Sequence, residues 1–322
     1  MSVTEQLEKY LSDAHSIEEQ ALVQMRAAPA IAGDAGLAEI FSRHLTETES
    51  QERLVRERLQ ARGGKPSRVK EAVMKAGGAG FVLFARSQPD TPGKLVAHAY
   101  SYEHLELASY ELLEVVARLA EDGNTAEVAR RIRDQEKRMA ARLEDSFDAA
   151  VGASLRQVSP HDLDDQLQKY LADAHAIENQ ALKLLQKGPQ MAGDPELERL
   201  YAEHLGETEE HARLVAERLQ AKGGGPSRLK DAAMRLGALN WGTFFRAHPD
   251  TPGKLAAFAF AFEHLEIAAY ELLRRVAERA GDPETAQLAE RILADERAAA
   301  GKIAAAFDKA ARASLEAVGA TT

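Results

Sequence analysis

The sequence predicts an all-α protein made of two tandem four-helix bundles, and three observations predict it. The chain of 322 residues is written twice: residue n matches residue n+160 from Gln6 to Leu155 without insertion or deletion, and roughly half the pairs are identical. Apolar residues recur at three- and four-residue spacing over long stretches separated by Gly, Pro and Asp punctuation. Five acidic residues per copy stand inside those apolar stripes, at matching positions. The repeat sets the domains at residues 1–157 and 158–322. No segment reads as a strand.

The second copy shows the elements most clearly. Helix 1 is expected from about Leu163 to Lys187, with its stripe at Leu167, Leu171, Ala174, Ala181 and Leu185. Gly188-Pro189 and Gly193-Asp194-Pro195 interrupt the chain. Helix 2 then opens with Asp194 as N-cap and Pro195 in the first turn, and it ends at Gly223-Gly224-Gly225-Pro226. From Ser227 to Arg246 a short helix and packed loop are expected, carrying Met234, Trp241, Phe244 and Phe245. Helix 3 opens at Thr251-Pro252, read as an N-cap and a first-turn proline, and runs to about Ala280. Gly281-Asp282-Pro283 turns into helix 4, expected to continue to about Ala313. The first copy repeats this punctuation at Gly63-Gly64-Lys65-Pro66, Asp90-Thr91-Pro92 and Asp122-Gly123. Four helices with a long connection and a short helical insert between helices 2 and 3 have ferritin-like topology.

Composition narrows the functional classes. A net charge of −10 offers nucleic acid and anionic membrane surfaces no attractive field, although Arg62 to Lys75 is locally basic. The absence of cysteine excludes disulfides, thiolate metal sites, iron–sulfur clusters and thiol catalysis. No apolar run is long enough to span a bilayer and no secretory signal is visible, so a cytoplasmic protein is expected.

The acids carry the chemistry. Glu18, Glu47, Glu103, Glu106 and Glu136 of the first copy reappear as Glu178, Glu207, Glu263, Glu266 and Glu296. Helix 3 of the second copy reads Ala259, Glu263, Glu266, Tyr270, Leu273, a core stripe with two acids at its centre. Each helix thus delivers at least one Glu near its midpoint, and antiparallel packing brings the midpoints to similar height. A buried carboxylate is costly unless a cation meets it. Hard oxygen donors converging in a bundle suit a dinuclear iron or manganese centre. His44/His204 reads equally as a ligand or as a ligand's partner, while Gln51/His211 is a difference between the copies. The usual second Glu-x-x-His is missing, because Met139/Ala299 stands where its histidine would be. His104/His264 is expected to be structural or to support a ligand from behind, His15/His175 to lie at the site's entrance or on the surface, and Tyr110/Tyr270 to be core tyrosines, with a hydrogen bond to a ligating carboxylate as the alternative. Arg53/Arg213 and Arg58/Arg218 are expected to be solvated or paired with surface acids.

At these residues the chain resembles the bacterial YciF-type ferritin-like family. The matching segments are Asp173-Ala174-His175-Ala176-Ile177-Glu178-Asn179-Gln180, His204-Leu205-Gly206-Glu207-Thr208, Glu263-His264-Leu265-Glu266-Ile267-Ala268-Ala269-Tyr270 and Asp295-Glu296-Arg297. The first copy matches through Glu18, His44, Glu47, Glu103, Glu106 and Glu136. The resemblance implies a rubrerythrin-related bundle, commonly a dimer and associated with stress responses. Such members usually carry one bundle per chain, so here the two copies are expected to pair as an intramolecular pseudo-dimer.

Two functions follow as expectations. One is a redox protein whose Fe(II) or Mn(II) pairs meet O₂ or H₂O₂ and, with no rubredoxin-like module, draw on an external electron donor or consume Fe(II). The other is a stress-associated binding or scaffold bundle with structural metal or none. A third possibility confines chemistry to one copy, and a storage cage is not expected.

Overall fold

In the computed structural model, residues 2–66, 72, 75–80, 82–83, 90–225 and 250–320 are described, and every regular element among them is helical. The chain separates into two compact units, one built on the residues up to Arg156 and the other on Gln157–Ala317. The first unit contains α1 (Val3–Ile31), α2 (Ala35–Ala61), α3 (Thr91–Leu119), α4 (Gly123–Glu144) and α5 (Phe147–Ser154). After a 3₁₀ turn at Pro160–Asp162, the second contains α6 (Leu163–Leu185), α7 (Gly188–Met191), α8 (Pro195–Ala221), α9 (Thr251–Arg279), α10 (Pro283–Ala305) and α11 (Phe307–Ala317). Residues 75–80 are helical within the connection between α2 and α3. The corresponding stretch 227–246, with Met234, Trp241, Phe244 and Phe245, lies outside the described residues.

Local chemistry sets the ends of the helices. Ser2 and Glu5 close a reciprocal capping box at the start of α1. Asp34 accepts from the Gly36 and Leu37 amides at 2.8 and 3.2 Å, and Asp194 accepts from Glu196 and Leu197 at 2.8 and 3.1 Å. These bonds satisfy amides that a helix start leaves orphaned. Pro29 is carried inside α1. Where the second copy replaces Ala28 by Gly188, the helix stops at Leu185 and resumes for one turn, because glycine and proline together disfavour continuous helix.

In the first unit α1 packs on α2 and α3, and α4 packs on α3 and α2; the second unit repeats the scheme with α6, α8, α9 and α10. Gly33, in the turn before α2, lies against Pro92 at the start of α3. Arg58, near the end of α2, pairs with Asp122 just beyond the end of α3 at 3.2 Å. Parallel α2 and α3 therefore flank antiparallel α1 and α4, so the connection between them must travel the length of the bundle. Arg58 also reaches Thr125 Oγ1 at 3.2 Å, and Arg218 meets Asp282 and Thr285, both at 2.7 Å. These arginines tie the end of one helix to the N-cap of another, a partly buried role. Of the basic stretch after α2, Arg62 pairs with Asp122 and Lys75 with Glu19, each at 2.6 Å.

Two expected boundaries are corrected. Helix 4 does not continue to Ala313: it breaks after Ala305, as the first copy breaks after Glu144. The break turns Phe307 and Phe147 inward, edge-on to Phe260 and Tyr100 at ring separations of 5.2 and 5.4 Å. Helix 3 is not capped by Thr251. Its flanking residue is Asp250, which makes no side-chain cap bond. The Gly253 amide instead donates to Ser314 Oγ of α11 at 2.6 Å, as Gly93 does to Ser154 Oγ of α5 at 2.9 Å. A serine from the final helix thus supplies the cap across the bundle.

Among the described residues, no helix is long and apolar enough to cross a membrane.

Two glycine substitutions should move stability in opposite directions. Gly193 has a φ of +69°, and a Cβ there would stand 2.7 Å from Pro252 Cγ, so Gly193→Ala should cost about 1–3 kcal/mol. Gly206 lies within α8 with open space beside it, so Gly206→Ala should gain about 0.4–1 kcal/mol. Thermal melts followed by circular dichroism read both signs.

Candidate metal centre

The acids reach the bundle axis because each replaces an apolar residue in a core-facing row. Glu18 on α1, Glu103 and Glu106 on α3 and Glu136 on α4 are at most 1% exposed. Their counterparts Glu178, Glu263, Glu266 and Glu296 are at most 2% exposed. His44 on α2 and His204 on α8 are also buried, anchored where Thr48 and Thr208 bond back to the histidine carbonyls at 3.0 Å.

In the first bundle, ligand atoms of His44, Glu103, Glu106 and Glu136 all lie within 4.8 Å of one another. His44 Nε2 is 3.2 Å from Glu103 Oε1 and 3.7 Å from Glu136 Oε2. In the second, His204, Glu263, Glu266 and Glu296 form the same group, with His204 Nε2 at 2.9 Å from Glu263 and 3.8 Å from Glu296. Both oxygens of Glu103, Glu136 and Glu266 are buried without a hydrogen-bond partner, as are His44 Nε2 and His204 Nε2. Converging buried donors that do not satisfy one another are what a cation would complete. The donor set, carboxylates with one imidazole, suits a hard or intermediate divalent ion.

The four remaining predicted ligands, Glu18, Glu47, Glu178 and Glu207, stand outside these two clusters. Glu47 and Glu207 are not in the clusters: their side chains are 26% and 39% exposed, on the outer side of the histidine. Glu47 meets His44 Nδ1 at 3.2 Å and Arg142 at 2.9 Å; Glu207 meets His204 Nδ1 at 3.0 Å and Lys302 at 3.5 Å. A carboxylate at Nδ1 holds the ring proton there and leaves Nε2 to face the cluster. Glu18 and Glu178 are held from behind. The Tyr110 hydroxyl donates to Glu18 and the Tyr270 hydroxyl to Glu178. These tyrosines are therefore partners of the acids, the alternative to an ordinary core role.

The other histidines separate by role. His104 Nδ1 donates to the Tyr100 carbonyl and His264 Nδ1 to the Phe260 carbonyl, both at 2.7 Å, as suits a structural residue. Burial lowers His264 to about 4. His15 is neither an entrance nor a surface residue: it is buried and meets Glu52 at 3.0 Å. Glu52 also meets Arg56 at 3.2 Å. In the second copy Glu52 becomes Ala212, and His175 is half-buried beside Asn179. His211 lies in a further group with Glu178 and Glu296. It also contacts Asp295 at 3.3 Å, a residue to which the sequence had assigned no role.

Electrostatics record the same strain. Burial pushes Glu18 and Glu178 up to about 8, against the bonds from Tyr110 and Tyr270. Burial and neighbouring carboxylates hold Glu106, Glu136 and Glu266 well above the usual range, and Glu263 rises to about 7. Burial works against charge on His204, but Glu263, Glu296 and Glu207 outweigh it and raise the ring to about 10. Outside the cluster, the bond from His44 brings Glu47 down to about 2.

These shifts fix the sign of a pH effect in metal-free protein. Glu18, with an ordinary value of 4.5, stabilises the fold fully below that pH, and its contribution is lost as pH rises towards about 8. His204 contributes fully below 6.5 and loses its contribution by about 10. Glu47 acts oppositely, its contribution being lost only as pH falls from 4.5 towards about 2. Chelator-treated protein should therefore melt at progressively lower temperature as pH rises from about 5 to about 9. A melting temperature that rises over this interval would contradict the protonation pattern.

The family model described as a domain of unknown function (DUF892) matches the chain twice, over residues 2–156 and 162–316. No solved structure matches the chain. The two matches fall on the two bundles and include every residue of both carboxylate clusters. The protein therefore belongs to the DUF892 family, of which it carries two tandem copies.

Proposed function

We propose that each bundle binds iron or manganese in its carboxylate cluster, as a ferritin-like centre that is dinuclear in the second copy and kin to the YciF-type and rubrerythrin proteins, and serves in stress-related handling of peroxide or iron. One observation carries the reading. Fully buried carboxylates on two helices and a histidine on a third converge with donor atoms unsatisfied, in both copies. Iron or manganese bound there would supply one-electron steps towards O₂ or H₂O₂.

The protein's own residues would prepare that chemistry. His44 and His204 present Nε2 because Glu47 and Glu207 retain the proton on Nδ1. Tyr110 and Tyr270 orient one oxygen of Glu18 and Glu178, leaving the other oxygen of each free of partners. The surrounding helices exclude bulk water, so cation binding must displace the protons that raised carboxyls hold in the empty cluster. Binding should therefore tighten as pH rises.

A second reading has specific support. The hydrogen-bonded tyrosines and upward-shifted acids describe a core that can stay neutral without metal, as a binding or scaffold bundle would require. The two readings part on one variant. Glu103→Gln/Glu263→Gln preserves shape and removes one carboxylate charge per bundle. On the metal reading, it lowers iron or manganese affinity by about 10-fold or more and abolishes the metal-induced rise in melting temperature. Peroxide turnover by Fe(II)-loaded protein, with an external reductant supplied, falls in parallel. Wild-type melting that is indifferent to Fe(II) and Mn(II) would leave the scaffold reading.

A further inference from the structure

The bundles differ at the centre itself, by two linked exchanges. Gln51 of the first copy becomes His211, and Gln135 becomes Asp295. In the first bundle the two amides face each other, with Gln51 Nε2 donating to Gln135 Oε1 at 3.4 Å. In the second, the imidazole replaces that neutral pair. His211 Nε2 lies 3.3 Å from Asp295 Oδ2, and Nδ1 lies 2.8 Å from Glu296 Oε1. Glu178, His211 and Glu296 thereby bring donor atoms within 4.8 Å of one another, a group absent from the first bundle among the described residues.

Resting on the metal reading above, we propose that the second bundle has a second-ion subsite, formed by Glu178, His211 and Glu296 and oriented by Asp295, that the first bundle lacks. A neutral imidazole carries one N–H. With that proton on Nε2 and donated to Asp295, Nδ1 turns its lone pair towards Glu296 and Glu178. Glu178 Oε2 and Glu296 Oε2 belong to fully buried carboxyls and have no hydrogen-bond partner, so acceptors remain for a cation between them. Glu296 also belongs to the group of His204, Glu263 and Glu266. Its Oε1 faces His211 and its Oε2 faces His204 at 3.8 Å, as a carboxylate shared by two ions would. In the first bundle Gln51 offers only a neutral amide oxygen, a weaker donor than imidazole for a divalent first-row ion.

The test uses the full chain and Mn(II) alone, loaded anaerobically, with ions counted after equilibrium dialysis and the bound metal examined by electron paramagnetic resonance. His211→Gln/Asp295→Gln rebuilds the amide pair of the first copy and should bind one Mn(II) fewer per chain. It should also lose the signal of an exchange-coupled manganese pair. The reciprocal Gln51→His/Gln135→Asp should bind one more, and this gain cannot be mistaken for misfolding. Identical counts and spectra for all three proteins would overturn the second subsite while leaving metal binding intact. A folded wild-type chain that takes up no Mn(II) or Fe(II) would instead overturn the metal reading beneath it.

Discussion

Four carboxyl groups buried around the axis of each bundle are the constraint on which the rest of the structure depends. Taken out of water, each must find a proton, a hydrogen-bond donor or a cation, and the helices supply these unequally. One acid receives a tyrosine hydroxyl, and a histidine reaches the group from the neighbouring helix. Most oxygens of the clustered acids remain without a hydrogen-bond partner. The apolar side chains above and below, among them Leu11, Met25, Leu113 and Ile132, are fully buried and hold the helices against the repulsion between them. The folded state therefore sets its hydrophobic packing against its own electrostatics.

This arrangement was legible in the sequence where a residue's position along one helix decides its surroundings. Glu103, Glu106 and their repeats occupy a stripe whose spacing alone turns them inward. Glu47 and Glu207 share a face with core leucines but sit at its margin, and periodicity does not resolve which way a long side chain turns. Partners on the next helix decide that: Arg142 and Lys302 draw these acids outward while the histidines stay inside. Contacts between distant residues were the least legible. The cap from Ser154 has no local signal, since it joins residues that only the completed bundle brings together. The break before Phe147 was hidden for the same reason, because no glycine or proline marks it and ring packing against Tyr100 sets it.

Duplication has let the environments of the two centres drift while their acids stayed fixed. Around an unchanged set of buried glutamates, the first copy keeps a buried His15–Glu52 pair and a neutral Gln51–Gln135 contact. The second has lost the former and gained an imidazole and a carboxylate in place of the latter. The outer partner of the histidine-bound acid also differs, Arg142 in one copy and Lys302 in the other. A guanidinium can grip a carboxylate with two parallel bonds, whereas an ammonium acts as a point charge, so Glu47 is held by more bonds from its outer partner than Glu207 is.

The serine that caps helix 3 from the end of each repeat has a meaning for the protein's synthesis. Ser154 and Ser314 stand 61 residues after the amides they satisfy. The helix carrying two of the buried acids thus lacks this cap until the final segment of its own repeat has been made. Because Ser154 precedes the second repeat, the first can finish this closure while the second is still being made. Each half can therefore close on its own schedule, the leading half while the trailing half is still incomplete.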